Sequence, residues 1–261
     1  MEKEFNFRTF KFTAPSGFYY EIREQNGEDE DILTNPKDAK DLTNLIKFIA
    51  SLVVDTNYTA SGKLTLEDVK RMPLLDKYCI LIQNNIFSLG GKIEFEYTFQ
   101  DGSTFAFEQD LRELIFDDYT QYPTEEELNN KPYAIPYYPS MPNGDPNKLA
   151  NIVVTLASGK VVSFDLMNSG SEQYILRLPE EKRTRNAELM ARNLKLSVEG
   201  NFEKVTNFKM FSMADMRELR KVINENDPVF SGTIILENPN DPKDKEPYGL
   251  LGNPDFFGLM S

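Results

Sequence analysis

The sequence predicts an α+β fold of two related small domains, each a β-hairpin or ribbon packed with amphipathic helices. Three observations predict it. Short runs of alternating apolar residues are punctuated by turn signals, longer runs carry apolar residues at helical spacing, and a Pro/Tyr-rich stretch without any period divides the chain. A length of 261 residues suits one large or two small domains. The expected ranges are 1–118, a connector at 119–147, 148–237, and a C-terminal extension at 238–261.

Phe5, Phe7, Phe10 and Phe12 lead to Ala14-Pro15-Ser16-Gly17, and Phe18 to Ile22 follows, which reads as a hairpin. Asn35-Pro36 opens a helix, with Asn as cap and Pro in the first turn; Leu42, Leu45, Ile46, Ile49, Leu52 and Val53 form its apolar face. Thr65 and Asp68 have capping-box spacing. Pro73 starts a helix carrying Leu74, Leu75, Tyr78, Leu81, Ile82 and Ile86, and Gly90-Gly91 ends it. Ile93, Phe95, Tyr97 and Phe99 alternate as a strand, Asp101-Gly102 turns, and Phe105 and Phe107 return.

Between Tyr119 and Asn147 lie six of the chain's 15 prolines, interleaved with Tyr119, Tyr122, Tyr133, Tyr137 and Tyr138. This predicts a stiff, extended connector that adds little to either core. The hairpin pattern then restarts at Asn151 to Phe164. At a constant shift of 142 positions, Thr13 meets Thr155, Ser16-Gly17 meets Ser158-Gly159, Asn26 meets Asn168 and Glu30 meets Glu172. An apolar pair follows in each copy, Ile32-Leu33 and Ile175-Leu176. Ser212 and Asp215 cap a helix bearing Met216, Leu219, Val222 and Ile223, and a strand spans Phe230 to Leu236. The closing Asp255-Phe-Phe-Gly-Leu-Met presents Phe256 and Phe257 for docking on another surface.

Composition excludes much chemistry. With no His there is no Ser–His–Asp or Cys–His machinery and no imidazole metal ligand. A single Cys, Cys79, rules out intramolecular disulfides and thiolate zinc sites, and its apolar helical setting favours an inert thiol. The expectation is therefore no cofactor, no metal and no catalytic residue. A net charge of −13 argues against direct nucleic-acid binding. The one basic cluster, Lys182-Arg183-Thr184-Arg185, reads as a solvated helix face rather than a phosphate patch. No run has the length of a signal-peptide core or a membrane span, which points to a soluble chain made in a reducing cytoplasm.

Gly62-Lys63, Gly91-Lys92 and Gly159-Lys160 lack the following Ser/Thr and preceding Gly of a phosphate loop, so they read as turns. Ser169-Gly170-Ser171 lacks a nucleophile-elbow frame. The densest acidic cluster, Glu28, Asp29, Glu30 and Asp31, has neither calcium-loop spacing nor two carboxyls set to face each other. It reads as a solvated or interface segment.

The order of these motifs resembles that of T-even-type phage baseplate hub and tail-assembly proteins. The resemblance is carried by Pro15, Ser16 and Gly17, by Asp29, Glu30, Ile32 and Leu33, and by Asp76, Leu81, Ile82 and Gly90. It continues in "FSMADMRELRKVINENDPVFSGTIILEN" and the closing "DFF", and skips the connector. Relatives often place paired cysteines on the β-ribbon; here the ribbon has none, so Phe95, Tyr97, Phe99, Phe105 and Phe107 must hold it by packing. The resemblance implies a structural or assembly role in a contractile tail baseplate or hub, without turnover. Its partners would be other tail proteins or further copies of itself, first in the host cytoplasm and then in the virion tail. The alternatives are a tail-assembly chaperone absent from the finished particle and, more remotely, a carboxylate-dependent hydrolase using Glu28 to Asp31. Tyr133, Tyr137, Tyr138, Phe256 and Phe257 join the four acids as expected interface residues, because aromatic side chains give contact area at low entropy cost.

Overall fold

The first hairpin forms around the Pro-Ser-Gly turn, where β1 (Thr9–Thr13) and β2 (Tyr19–Arg23) pair antiparallel. The computed structural model describes residues 7–251 and 254–259, so Phe5 of the expected first strand and Met260 near the C-terminus lie outside the described residues. Gly17 has φ of 84°, and a Cβ there would stand 2.5 Å from the Asn143 Cα, so only glycine fits. Asn26 caps α1 (Gly27–Leu33), and Asn35 caps α2 (Pro36–Ala39). The single helix expected from Pro36 to Val53 is instead broken at Leu42, whose φ of 61° is left-handed; α3 (Thr43–Leu52) starts afresh. Val53 belongs to β3 (Val53–Thr56), which completes an antiparallel sheet ordered β1-β2-β3. Thr65 and Asp68 form the capping box of α4 (Leu66–Arg71). The long α5 (Leu74–Leu89) ends at left-handed Gly90, and β4 (Lys92–Thr98) and β5 (Thr104–Asp110) form the aromatic ribbon.

The connector expected to stand apart from both cores does not. Tyr119, Ile135, Tyr137 and Tyr138 are buried in the same core as α3 and α5. The Tyr119 hydroxyl donates to the Ile135 carbonyl at 3.0 Å, and the Ile135 amide donates to the Leu114 carbonyl at 2.8 Å. Proline keeps this stretch out of helices and central strands, but it does not prevent aromatic side chains from folding back over a core. Only the segment around α6 (Glu125–Asn130) stays out: none of its residues is buried, and Tyr122 and Tyr133 flank it exposed.

The second half repeats the first. β6 (Ile152–Thr155) and β7 (Val161–Phe164) form a hairpin, Asn168 caps α7 (Ser169–Arg177), and α8 (Arg185–Ala191) leads into β8 (Lys195–Val198). The starts of β7, α7, α8 and β8 each fall 142 positions after those of β2, α1, α3 and β3. Both sheets run in the order first strand, second strand, third strand, and β9 (Asn201–Lys204) extends the second. Ser212 and Asp215 box the start of α9 (Met213–Asn226), and β10 (Thr233–Asn238) pairs with β11 (Asp241–Gly249) as a second ribbon.

Two apolar cores divide the chain differently from the expected ranges. The smaller runs from Leu156 to Ile223, beneath the second sheet and α9. The larger joins the first half and the connector to Phe230, Ile234, Leu236, Leu250 and Phe256. The boundary expected at 237 therefore cuts through a ribbon, and 238–261 is no free extension. Tyr248 of β11 stacks on Phe95 of β4 at 4.1 Å with planes 4° apart, so the two ribbons hold each other.

Candidate functional site

The four acids expected to act together are split by burial. Glu28, Glu30 and Asp31 are exposed on α1, whereas Asp29 is fully buried. Asp29 receives both terminal nitrogens of Arg23 at 2.7 Å, and also accepts from the Asn26 amide at 2.9 Å and the Ser51 hydroxyl at 3.0 Å. A carboxylate saturated this way positions the start of α1; it is not a solvated or interface group. Phe256 and Phe257 also find partners within the chain. Phe256 is buried and meets Phe257 edge-on at 4.9 Å, while Gln25 donates to the Phe257 carbonyl at 3.1 Å. Of the three connector tyrosines, Tyr137 and Tyr138 are core and Tyr133 is 45% exposed.

Residues that carried the family resemblance meet at one point. Asp76 of α5 is fully buried and accepts from the Ser16 amide at 3.0 Å, from the Ser16 hydroxyl, and from the Tyr20 hydroxyl at 3.0 Å. Burial raises its carboxyl from 3.8 to about 6, and the donated hydrogen bonds offset part of that rise. The second half has an equivalent tie: Glu218, 142 positions later on α9, accepts from the Ala157 amide at 3.0 Å. The nearby Asp215 carboxyl is held below its usual range, first by the Ser158 hydroxyl and then by Lys160. In both repeats a helix carboxylate thus holds the hairpin turn. Burial pushes the Cys79 thiol up, the setting of an unreactive sulfur.

The two halves meet through polar contacts. Leu74 N donates to Met167 O at 3.1 Å, Lys77 pairs with Glu172, and the Tyr78 hydroxyl donates to Glu172 at 3.0 Å. Gln173 donates to the Thr43 hydroxyl at 2.8 Å. Beside this junction opens a cleft of about 670 Å³. Its apolar lining includes Leu74, Tyr78, Ile175, Val229 and Phe230, and its charged lining includes Arg185, Arg192, Arg217, Arg220 and Lys221 against Glu188 and Asp227. Asp227 is already engaged, since it pairs with buried Arg192 and accepts from the Met167 amide at 2.7 Å. Among the described residues, no carboxylate pairs with Arg185, Arg217 or Arg220. Arg220 Nε is buried without an acceptor, and Val229 is 76% exposed.

Sequence reasoning placed Arg185 on a solvated face and passed over Arg217, Arg220 and Lys221. Their signal was present: on α9 they sit at helical spacing along one flank of the face that carries Met216, Leu219 and Ile223. What the sequence lacked was the fold of α8 against α9 that gathers them with Arg185. Among the described residues no cluster of three metal-ligating side chains occurs, and no helix is long and apolar enough to cross a membrane. Compared with known proteins, the chain matches no family model, and no curated protein or solved structure matches it significantly.

Proposed function

We propose that the chain is a structural or assembly component of a contractile phage or phage-like tail, acting in the baseplate or hub through protein–protein contacts rather than turnover. The observation that carries this reading is the cleft: unpaired guanidinium groups beside exposed Val229 and the half-buried Leu74, Tyr78 and Ile175 form the mixed surface that protein interfaces use. The motif order supports the tail assignment, and its Ser16 and Asp76 converge on one structural tie. The hydrolase reading loses support because Asp29 is sequestered and its three neighbours lie exposed on a short helix. Assembly would take place in the host cytoplasm, with the chain then retained in the virion tail. The test is mass spectrometry of purified tails together with co-purification from infected cells. Stoichiometric presence in finished tails supports a structural component; association with tail proteins only before completion would replace it with an assembly chaperone; no association with either overturns the reading.

A further inference from the structure

A second surface matches the cleft in chemistry. The α6 segment protrudes from the larger core with Tyr122, Leu128 and Tyr133 exposed. Glu125 and Glu126 occupy its first turn without an ion-pair partner among the described residues, while Glu127 is used in the capping box with Thr124. None of its residues lines the cleft of its own chain. The segment thus presents two free carboxylates among three exposed apolar side chains. The cleft presents Arg185, Arg217, Arg220 and Lys221 around Val229 and Phe230.

We infer that the α6 segment of one copy docks in the basic cleft of a second copy. Charge complementarity selects this occupant: in a chain of net charge −13 the cleft gathers Arg185, Arg217 and Arg220, which no carboxylate among the described residues pairs, beside Lys221. Arg217, exposed on the cleft wall and without an ion-pair partner among the described residues, gains one from an incoming carboxylate. Extended nucleic acid fits less well, because a chain of net charge −13 repels a long polyanion as a whole. Knob and cleft are different surfaces, so the contact is head-to-tail and leaves one of each free for the next copy, giving a ring or a filament. The inference shares its cleft with the functional reading but does not depend on any phage particle.

The experiment is sedimentation of the purified full-length chain over a concentration series. Wild type self-associates, and added salt weakens the association. Arg217→Glu with Arg220→Glu, or Glu125→Arg with Glu126→Arg, raises the dissociation constant by roughly a hundredfold. An equimolar mixture of the two reversed proteins associates again, because each knob then meets a cleft of opposite charge. Arg217→Glu with Lys221→Glu, both exposed side chains, replaces the first variant if circular dichroism shows it unfolded. A wild type monomeric throughout, variants that associate like wild type, or a mixture that stays monomeric each overturn the inference. So does a monomeric wild type that captures a short single-stranded DNA through the same arginines. Absence from purified tails would sink the proposed function while leaving this result standing.

Discussion

Asp76 shows how one buried carboxyl couples the fold to pH. Its folded value of about 6 lies above the ordinary 3.8, so its contribution to stability is full below the unfolded value and is lost as pH rises through 6. Two units correspond to roughly 3 kcal/mol. We expect Asp76→Asn to remove this slope: wild-type stability minus variant stability, from urea denaturation, should fall between pH 4 and 6 and then level off. Asp29 acts in the opposite sense, as an ion that must keep its partner. Asp29→Ala should cost about 3–5 kcal/mol by stranding Arg23, while Glu28→Gln or Asp31→Asn should change stability by less than ~0.5 kcal/mol. The sequence showed four adjacent acids; which one is buried depends on the local capping box between Asn26 and Asp29, which sequence reasoning missed, and on Ser51 of α3, which only tertiary packing brings near.

Among the elements, those with strong local chemistry were legible. Capping boxes at Thr65 and Ser212, the Gly90 stop and the alternating ribbon all occur where their residues stand. The break at Leu42 was not legible, because a leucine in a left-handed conformation carries no sequence signal; the packing of α3 imposes it. Packing between elements also sets the price of substitution at Gly17. Gly17→Ala would push a methyl group against the Asn143 backbone at a positive φ. We expect it to lower stability by at least ~1–2 kcal/mol, read as a fall in melting temperature. The Arg192–Asp227 pair, which closes the ends of α8 and α9, predicts a similar asymmetry. Asp227→Ala alone should destabilise by about 3–5 kcal/mol, and pairing it with Arg192→Met should recover much of that loss in a double-mutant cycle.

Over the whole molecule, the α+β class and the repeat were readable, since a shift of 142 positions aligns strand and helix starts as well as residues. The division into cores was not. Hydrophobic period marks faces of helices and strands, but Ile135, Tyr137 and Tyr138 are buried from irregular backbone that has no period. Tyr137→Ser or Tyr138→Ser should therefore each cost about 3–5 kcal/mol, whereas Tyr133→Ser should leave urea denaturation within ~0.5 kcal/mol of wild type. The basic cleft was hidden for a related reason: α8 and α9 contribute cations that lie far apart in sequence and meet only after folding.

The return of β10 and β11 to the first ribbon has a temporal consequence. A chain emerging from the ribosome presents its N-terminal half first, yet that half leaves Phe95 without Tyr248 and Asn85 without the Phe256 carbonyl until β10, β11 and the residues after them arrive. The smaller core, Leu156 to Ile223, is contiguous and closes as soon as it is made. A chain truncated after Asp227 and released from the ribosome should then resist protease across its second half while its first half is cut, an order of maturation opposite to the order of synthesis.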